Sequence, residues 1–155
     1  MIVLMIYYDY TRFTTDVRQL AQLCEPFRPD TILAVARGGM SLAHALAMAM
    51  NIRDLQSIRA ESYDGDCRRD SVSVRGDTDF ARSRRVLIVD DIVDTGETLA
   101  ALLPALRSKH PHIDFKAAAL FTKPSALIQP DFSLHEATDW IDFFWERDFL
   151  KPDLL

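Results

Sequence analysis

The sequence predicts an α/β fold, a central and mostly parallel sheet flanked by helices, from three observations. Two short apolar runs, "TILAVA" (31–36) and "RVLIVD" (85–90), are rich in β-branched residues and each leads through a turn into a helical pattern. A third run, "FKAAALF" (115–121), follows the second of those helices. Strands that alternate with helices pair in parallel through right-handed crossovers, which leaves helices on both faces of the sheet.

Each element has its own local reasons. The opening "MIVLMIYYDY" is apolar but too short to span a bilayer. It has neither a basic leader nor a small-residue cleavage site, so it reads as an edge strand or a start-site extension. In "TTDVRQLAQLCEPF", Val17, Leu20, Ala21 and Leu23 recur at helical spacing, with Thr14 or Thr15 as N-cap and Pro26 at the end. "MSLAHALAMAM" (40–50) is apolar nearly all round, as expected of a helix between a sheet and a second covering surface. From Asp64 to Arg84 the chain turns polar, mixed in charge and Gly-containing, the texture of a long loop or mobile hairpin. "ETLAALLPALRSKHP" starts beside Gly96 and ends at Pro111, with Arg107, Lys109 and His110 near its carbonyl end and a kink or break expected at Pro104. No repeat, Pro-rich linker or low-complexity tract divides the chain, so residues 1–155 are expected to form a single domain.

A formal net charge of −5 disfavours a nucleic-acid binder, which would show a basic face. Cys24 and Cys67 lie far apart without metal-type spacing, so no disulfide framework or thiolate site is expected and a reducing cytoplasm is the natural setting. Cys24 falls on a helical core stripe, whereas Cys67 lies in the loop. "HPH" (110–112) reads as a helix terminus with favourable cations rather than a metal pair, since Pro111 breaks the helix and no third ligand is near. His44 and His135 read as packing or surface residues.

The stretch "RVLIVDDIVDTGETL" (85–99) carries the chemistry. Ligands of open parallel sheets bind at the carboxyl ends of strands, where Asp90 and Asp91 fall. Next, "TGET" offers a Gly-opened turn, two hydroxyls and the free N–H groups of a starting helix, which together favour a phosphate. Carboxylates beside a phosphate cradle are reconciled by a ligand that bears hydroxyls near its phosphate, with a divalent cation close by. A ribose 5-phosphate is such a ligand, because a vicinal diol donates to carboxylates.

On these residues the chain resembles the type I phosphoribosyltransferases. "VLIVDDIVDTGET" is similar to their motif for phosphoribosyl pyrophosphate (PRPP), and the likeness covers nearly the whole chain. The nearest resemblance is to the small bacterial xanthine-guanine enzymes, with the hypoxanthine-guanine enzymes next. "VARGGM" resembles the pyrophosphate loop, whose peptide before the first glycine is commonly cis, and "ESYDGDCRRD" resembles the start of the flexible catalytic loop. "LFTKP" resembles the family's F-x-K-P, and "DWIDFFWERD" its C-terminal hood, with Phe144 where a proline is usual and acids at Asp142 and Glu146.

The resemblance implies a salvage enzyme that joins guanine, xanthine or hypoxanthine to PRPP with release of pyrophosphate. Asp90 and Asp91 would hold the ribose diol, and Asp91 would also meet Mg²⁺. Asp94 would be the general base near purine N7, while Thr95, Gly96, Glu97 and Thr98 would cradle the 5′-phosphate. Arg37, Gly38 and Arg69, with Arg68 as the neighbouring candidate, would hold pyrophosphate. Lys123 would donate to the purine O6, Trp140 would stack on the base, and the Ile141 backbone would bond its edge. The implied whole is a cytoplasmic homo-oligomer, dimer or tetramer, with a loop at about 64–84, a hood at about 131–155, and no nucleic-acid or membrane partner. The alternatives are a non-catalytic PRPP- or nucleotide-sensing regulator on the same fold, an orotate or adenine transferase, which Lys123 and Trp140 disfavour, and an Asp-based phosphatase, which lacks an Asp-x-Asp pair.

Overall fold

The computed structural model describes residues 4–62 and 72–152. Eight strands and four helices follow in the order β1 (Met5–Tyr8), α1 (Tyr10–Cys24), β2 (Thr31–Ala36), α2 (Met40–Ala49), β3 (Asp54–Ser62), β4 (Val72–Arg75), β5 (Arg85–Val93), α3 (Glu97–Lys109), β6 (Asp114–Thr122), β7 (Phe132–Glu136), β8 (Trp140–Phe143) and α4 (Phe144–Arg147). The main sheet runs β4-β3-β2-β5-β6-β7, and a separate pair joins β1 to β8. Every neighbouring pair is parallel except β3–β4.

Successive residues of a strand face opposite sides of the sheet, so the fully apolar central strands feed two cores. Ile32, Ala34, Leu87, Val89, Ala118 and Leu120 turn toward α1 and α2, whose Val17, Leu20, Leu42 and Leu46 meet them. Leu33, Val35, Val86, Ile88, Ala117 and Ala119 turn the other way, toward Leu99, Leu102, Leu103 and Leu106 of α3. Two packed layers thus fix the height at which β2, β5 and β6 all end.

Several local expectations change. Helix α1 starts earlier than Thr14 or Thr15: Asp9 is its N-cap and accepts from the Arg12 N–H at 2.7 Å. A short 3₁₀ turn at Glu25–Phe27 then carries Pro26 past the helix end. Helix α3 runs unbroken through Pro104, because that residue lies on the exposed side while leucines before and after it are clamped against the sheet. Of the two readings of the polar stretch after Asp64, loop or hairpin, the hairpin matches the antiparallel pairing of β3 with β4. Val72–Arg75 pairs with β3, Phe80 is 3% exposed, and the Ser83 and Thr31 hydroxyls meet at 2.7 Å. Residues 63–71, which include Cys67, Arg68 and Arg69, lie outside the described residues. The N-terminal segment forms an edge strand, but on the hood rather than on the main sheet. Cys24 is fully buried, as its place on the core stripe predicts. Among the described residues no helix is long and apolar enough to cross a membrane.

Candidate active site

The carboxyl ends of β2, β5 and β6 open under β8, and a cavity of about 620 Å³ lies between them. Its walls include Gly38, Asp90, Asp91, Asp94, Thr98, Lys123, Trp140 and Ile141. Residues scattered over a hundred positions are gathered because parallel strands all end on the same side of the sheet.

Asp90 and Asp91 extend from the last turn-out of β5. Asp91 is 7% exposed; its backbone N–H donates to Asp90 Oδ1 at 2.9 Å, and its own Oδ1 accepts from the Ile92 N–H at 2.7 Å. Burial pushes the Asp90 carboxyl well above the ordinary carboxylate range, and the Asp91 charge beside it pushes further. Burial also raises Asp91, opposed by the hydrogen bonds that it accepts. Among the described residues neither acid forms an ion pair. Gly38 approaches this corner closely: a Cβ there would lie 2.5 Å from Asp91 Oδ2, so any side chain at 38 would displace the Asp91 carboxylate. Just before it a cis peptide joins Ala36 to Arg37, one bond earlier than the Arg37–Gly38 link that the resemblance implies. The Arg37 side chain is exposed and is not part of the cavity wall.

Past Asp94 the chain turns through Thr95 and Gly96 into α3. Gly96 adopts φ +82°, and a Cβ on it would lie 2.8 Å from the Ile128 backbone nitrogen, so both torsion and space require glycine. A hollow of about 90 Å³ opens there, lined by Asp90, Asp94, Thr95, Gly96 and Thr98 and adjoining the larger cavity through the residues the two share. Glu97 is the first residue of α3, and its N–H points back to Thr95 Oγ1 at 3.3 Å. The N-terminal end of a 13-residue helix and its free N–H groups make this hollow suited to an anion.

Beside these acids, just past the end of β6, Lys123 bonds the Val93 carbonyl through its backbone N–H at 2.9 Å and forms an ion pair with Asp94. Trp140 is 64% exposed over the opening, an unusual position for an indole, while Ile141 next to it is buried. Phe143, the last residue of β8, stacks on Trp145 at 4.6 Å and joins the core while also bordering the cavity, as the exposed Trp140 does. Asp142, at the acidic hood position, is engaged by Arg147.

Sequence reasoning missed Ala60, Thr138 and Asp139 as wall residues. "TDW" placed two polar residues directly before the exposed tryptophan, which was the available signal; Ala60 carried none. Glu146 also lines the cavity, and its carboxyl stands above the ordinary range, first through desolvation and then through Asp91 and Asp142, with Arg37 opposing. His44 is exposed, and His110 caps α3 with its ring against Phe80 at 5.2 Å. His135 is a packing residue whose Nε2 lies 2.7 Å from Asp16 Oδ2.

Acids crowd this cavity and an anion cradle adjoins them, with one lysine and an exposed tryptophan completing the lining. Two adjacent carboxylates, Asp91 buried and Asp90 half-buried, with no ion-pair partner among the described residues, are also the oxygen donor set that a hard divalent cation takes. Among the described residues no three His, Cys, Asp or Glu side chains converge on one point, so any such ion would draw its other ligands from the substrate and water.

Residues 7–149 match the phosphoribosyl transferase domain family. A xanthine-guanine phosphoribosyltransferase of Idiomarina loihiensis is 36% identical over 126 residues, covering 78% of this chain and 74% of that one. One from a Ruegeria species is 31% identical over 153 residues, covering 88% and 84%. The solved xanthine-guanine-hypoxanthine phosphoribosyltransferase of Helicobacter pylori superposes with a TM-score of 0.87 at 37% identity, over 94% of this chain and 96% of that one. A purine phosphoribosyltransferase from Pyrococcus horikoshii gives 0.75 at 30% identity, over 91% and 93%. With strand ends, anion cradle and aromatic wall arranged in this way, and with relatives of such names matched over most of its length, this chain belongs to the phosphoribosyltransferase family.

Proposed function

We propose that the chain is a 6-oxopurine salvage enzyme, transferring the phosphoribosyl group of PRPP to guanine, xanthine or hypoxanthine with release of pyrophosphate. One observation carries this reading: the acids and phosphate-type cradle at the end of β5 share a cavity with Lys123 and the exposed Trp140. A sugar phosphate and a planar base can therefore be held face to face.

The bond from C1′ to pyrophosphate breaks as the bond to purine nitrogen forms, through a transition state of oxocarbenium character. Most of the protein's work is positioning and electrostatics. In this reading Asp90 and Asp91 accept from the ribose hydroxyls, and their negative field favours the developing positive charge on the sugar. Thr95, Gly96, Glu97 and Thr98 bind the 5′-phosphate through hydroxyl and backbone N–H donors. Arg37 and Gly38 meet pyrophosphate, with Arg69 or Arg68 from outside the described residues. Lys123 donates to the purine O6, a contact that an adenine amino group cannot accept, and Trp140 stacks on the base while the Ile141 backbone bonds its edge. Asp94 accepts the purine proton near N7, with Lys123 beside it as counter-charge.

Mg²⁺ fits the Asp90–Asp91 corner, Asp91 being its protein contact, and when bound it would neutralise the pyrophosphate charge. Met40 and Met48, exposed on α2, support a homo-oligomer, dimer or tetramer, and a cytoplasmic setting accompanies the salvage role.

Pyrophosphate release tests the reading, with PRPP, Mg²⁺ and each of guanine, xanthine, hypoxanthine, adenine and orotate, beside Asp94→Ala. Turnover with a 6-oxopurine that is lost in the variant supports it. Silence with all five bases, in protein that still binds PRPP, overturns it in favour of a non-catalytic regulator.

A further inference from the structure

The purine wall, Trp140 and Ile141, is carried by β8, and among the described residues β8 is hydrogen-bonded to no strand of the main sheet. Its one partner there is β1, in the register Met5↔Trp140, Ile6↔Ile141, Tyr7↔Asp142 and Tyr8↔Phe143. A two-stranded sheet of four residues a side has little stability of its own, so the height of Trp140 above the cavity must be set by what fastens the pair to the body.

A single buried carboxylate provides a fastening. Asp16 of α1 is 4% exposed, and its Oδ2 accepts from the Tyr8 hydroxyl at 2.7 Å and lies 2.7 Å from His135 Nε2. Tyr8 ends β1 opposite Phe143 of β8. His135 lies near the end of β7, from which the chain runs through Thr138 and Asp139 into Trp140. Both routes into the hood strand, the covalent one from β7 and the hydrogen-bonded one through β1, thus converge on one oxygen of a helix seated on the main sheet. The remaining charged neighbour is Arg12, whose Nε lies 3.9 Å from Asp16 Oδ2 and whose guanidinium carbon lies over the Tyr8 and Phe121 rings at 5.3 and 5.5 Å. Around the node the Tyr8 ring packs edge-on to Phe121 of β6 at 5.4 Å and Phe143 at 5.6 Å, so the aromatic contacts tie the same elements. Burial, and then the bond to Asp16, raise the Tyr8 phenol above its ordinary range, which keeps it an O–H donor.

We propose that Asp16 is a positioning residue for purine binding, setting the place of Trp140 and Ile141 by holding Tyr8 of β1 and His135 of β7 on one carboxylate. The inference rests on the reading of the cavity as a purine site. Asp16 is not among the residues lining the cavity, and the strands it holds lead to the base half, whereas the residues of the PRPP half come from β2, β5 and the start of α3.

Asp16→Ala, Asp16→Asn and Tyr8→Phe provide the test. Tyr8→Phe removes one hydroxyl and leaves the ring packing, so it keeps the question answerable if Asp16→Ala does not fold. The KM for purine should rise about five-fold in Tyr8→Phe, in line with one lost hydrogen bond, and further in Asp16→Ala, with the KM for PRPP held within about two-fold. Asp16→Asn, whose amide oxygen still accepts from both partners, should restore purine KM to near the parent value. Hydrogen exchange in the absence of substrates supplies a readout independent of turnover. Amides of 140–143 should exchange faster in Tyr8→Phe while those of 85–93 stay unchanged. If the parent protein shows no transferase activity, the function reading fails and the exchange result alone decides the role of Asp16. Purine and PRPP constants that move together, or exchange that accelerates uniformly or not at all, overturn the proposal.

Discussion

Replacing Asp90 by Asn should stabilise the substrate-free protein while impairing it as an enzyme. Asp90 and Asp91 are adjacent, half-buried and buried respectively, and unpaired with any cation among the described residues, and desolvation plus mutual repulsion raises the Asp90 carboxyl well above its ordinary range. An Asn at 90 keeps the oxygen that accepts from the Asp91 N–H at 2.9 Å, and its amide can donate toward the Asp91 carboxylate. It removes one charge from the repelling pair. Relief of this kind at a functional site is worth about 1 kcal/mol, or roughly 2–4 °C in Tm for a chain of this length. The pH dependence follows from the sign of the shift. A raised carboxyl binds its proton more tightly in the folded than in the unfolded chain, so the folded state loses stability as pH rises from the unfolded value through the folded one. The advantage of Asp90→Asn should therefore be largest at neutral pH and shrink as the solution is acidified through that window. Losing the charged acceptor proposed for the ribose hydroxyl should meanwhile lower kcat/KM by roughly 10- to 100-fold, the equivalent of about 1.5–3 kcal/mol. Thermal melts without ligand from pH 5 to 8, beside steady-state kinetics, provide the assay. A lower Tm at neutral pH would refute the reasoning, because it would mean that the paired acids hold the fold together.

Lys123→Met should lower kcat/KM for 6-oxopurines about 100-fold, measured by pyrophosphate release, because it removes the proposed O6 donor and leaves Asp94 without its ion-pair partner. Trp140→Ala should raise the purine KM by an amount equivalent to about 1–3 kcal/mol of base stacking. At 64% exposure the side chain contributes little to the core, so the melting temperature should stay nearly constant. Gly96→Ala should destabilise by roughly 1–3 kcal/mol in denaturant melts, since alanine must hold φ +82° with its Cβ 2.8 Å from the Ile128 nitrogen. It should also weaken PRPP binding, because the hollow at the start of α3 is shaped around that turn.

The parallel sheet was legible because TILAVA, RVLIVD and FKAAALF are apolar on both faces, and because each strand-to-helix step carries its own turn residues. The cradle was legible because its residues are consecutive, Asp90 to Thr98, and local chemistry survives folding unchanged. The limits of single elements were harder to read where packing outweighed local preference. Pro104 signals a break, yet burial of Leu99, Leu102, Leu103 and Leu106 carries α3 through it. Two threonines advertise an N-cap, yet Asp9 takes that role and puts Thr14 and Thr15 inside the helix. Least legible were contacts between distant segments. Nothing near Asp16 indicates that it meets Tyr8 and His135, nor does Ala60 carry any sign that it borders the cavity.

The pairing of β1 with β8 joins two strands from nearly opposite ends of the described chain. Contacts of such sequence separation carry a large loop-closure cost, whereas β5, α3 and β6 are sequential neighbours. The strand that bears Trp140 is thus expected to dock late in folding and to detach early in partial unfolding. A molecule caught in that state would keep the proposed sugar-phosphate half of the cavity assembled and the proposed base half undone. Purine recognition should therefore fail at lower denaturant concentrations than the sheet itself, and inactivation would run ahead of any loss of secondary structure.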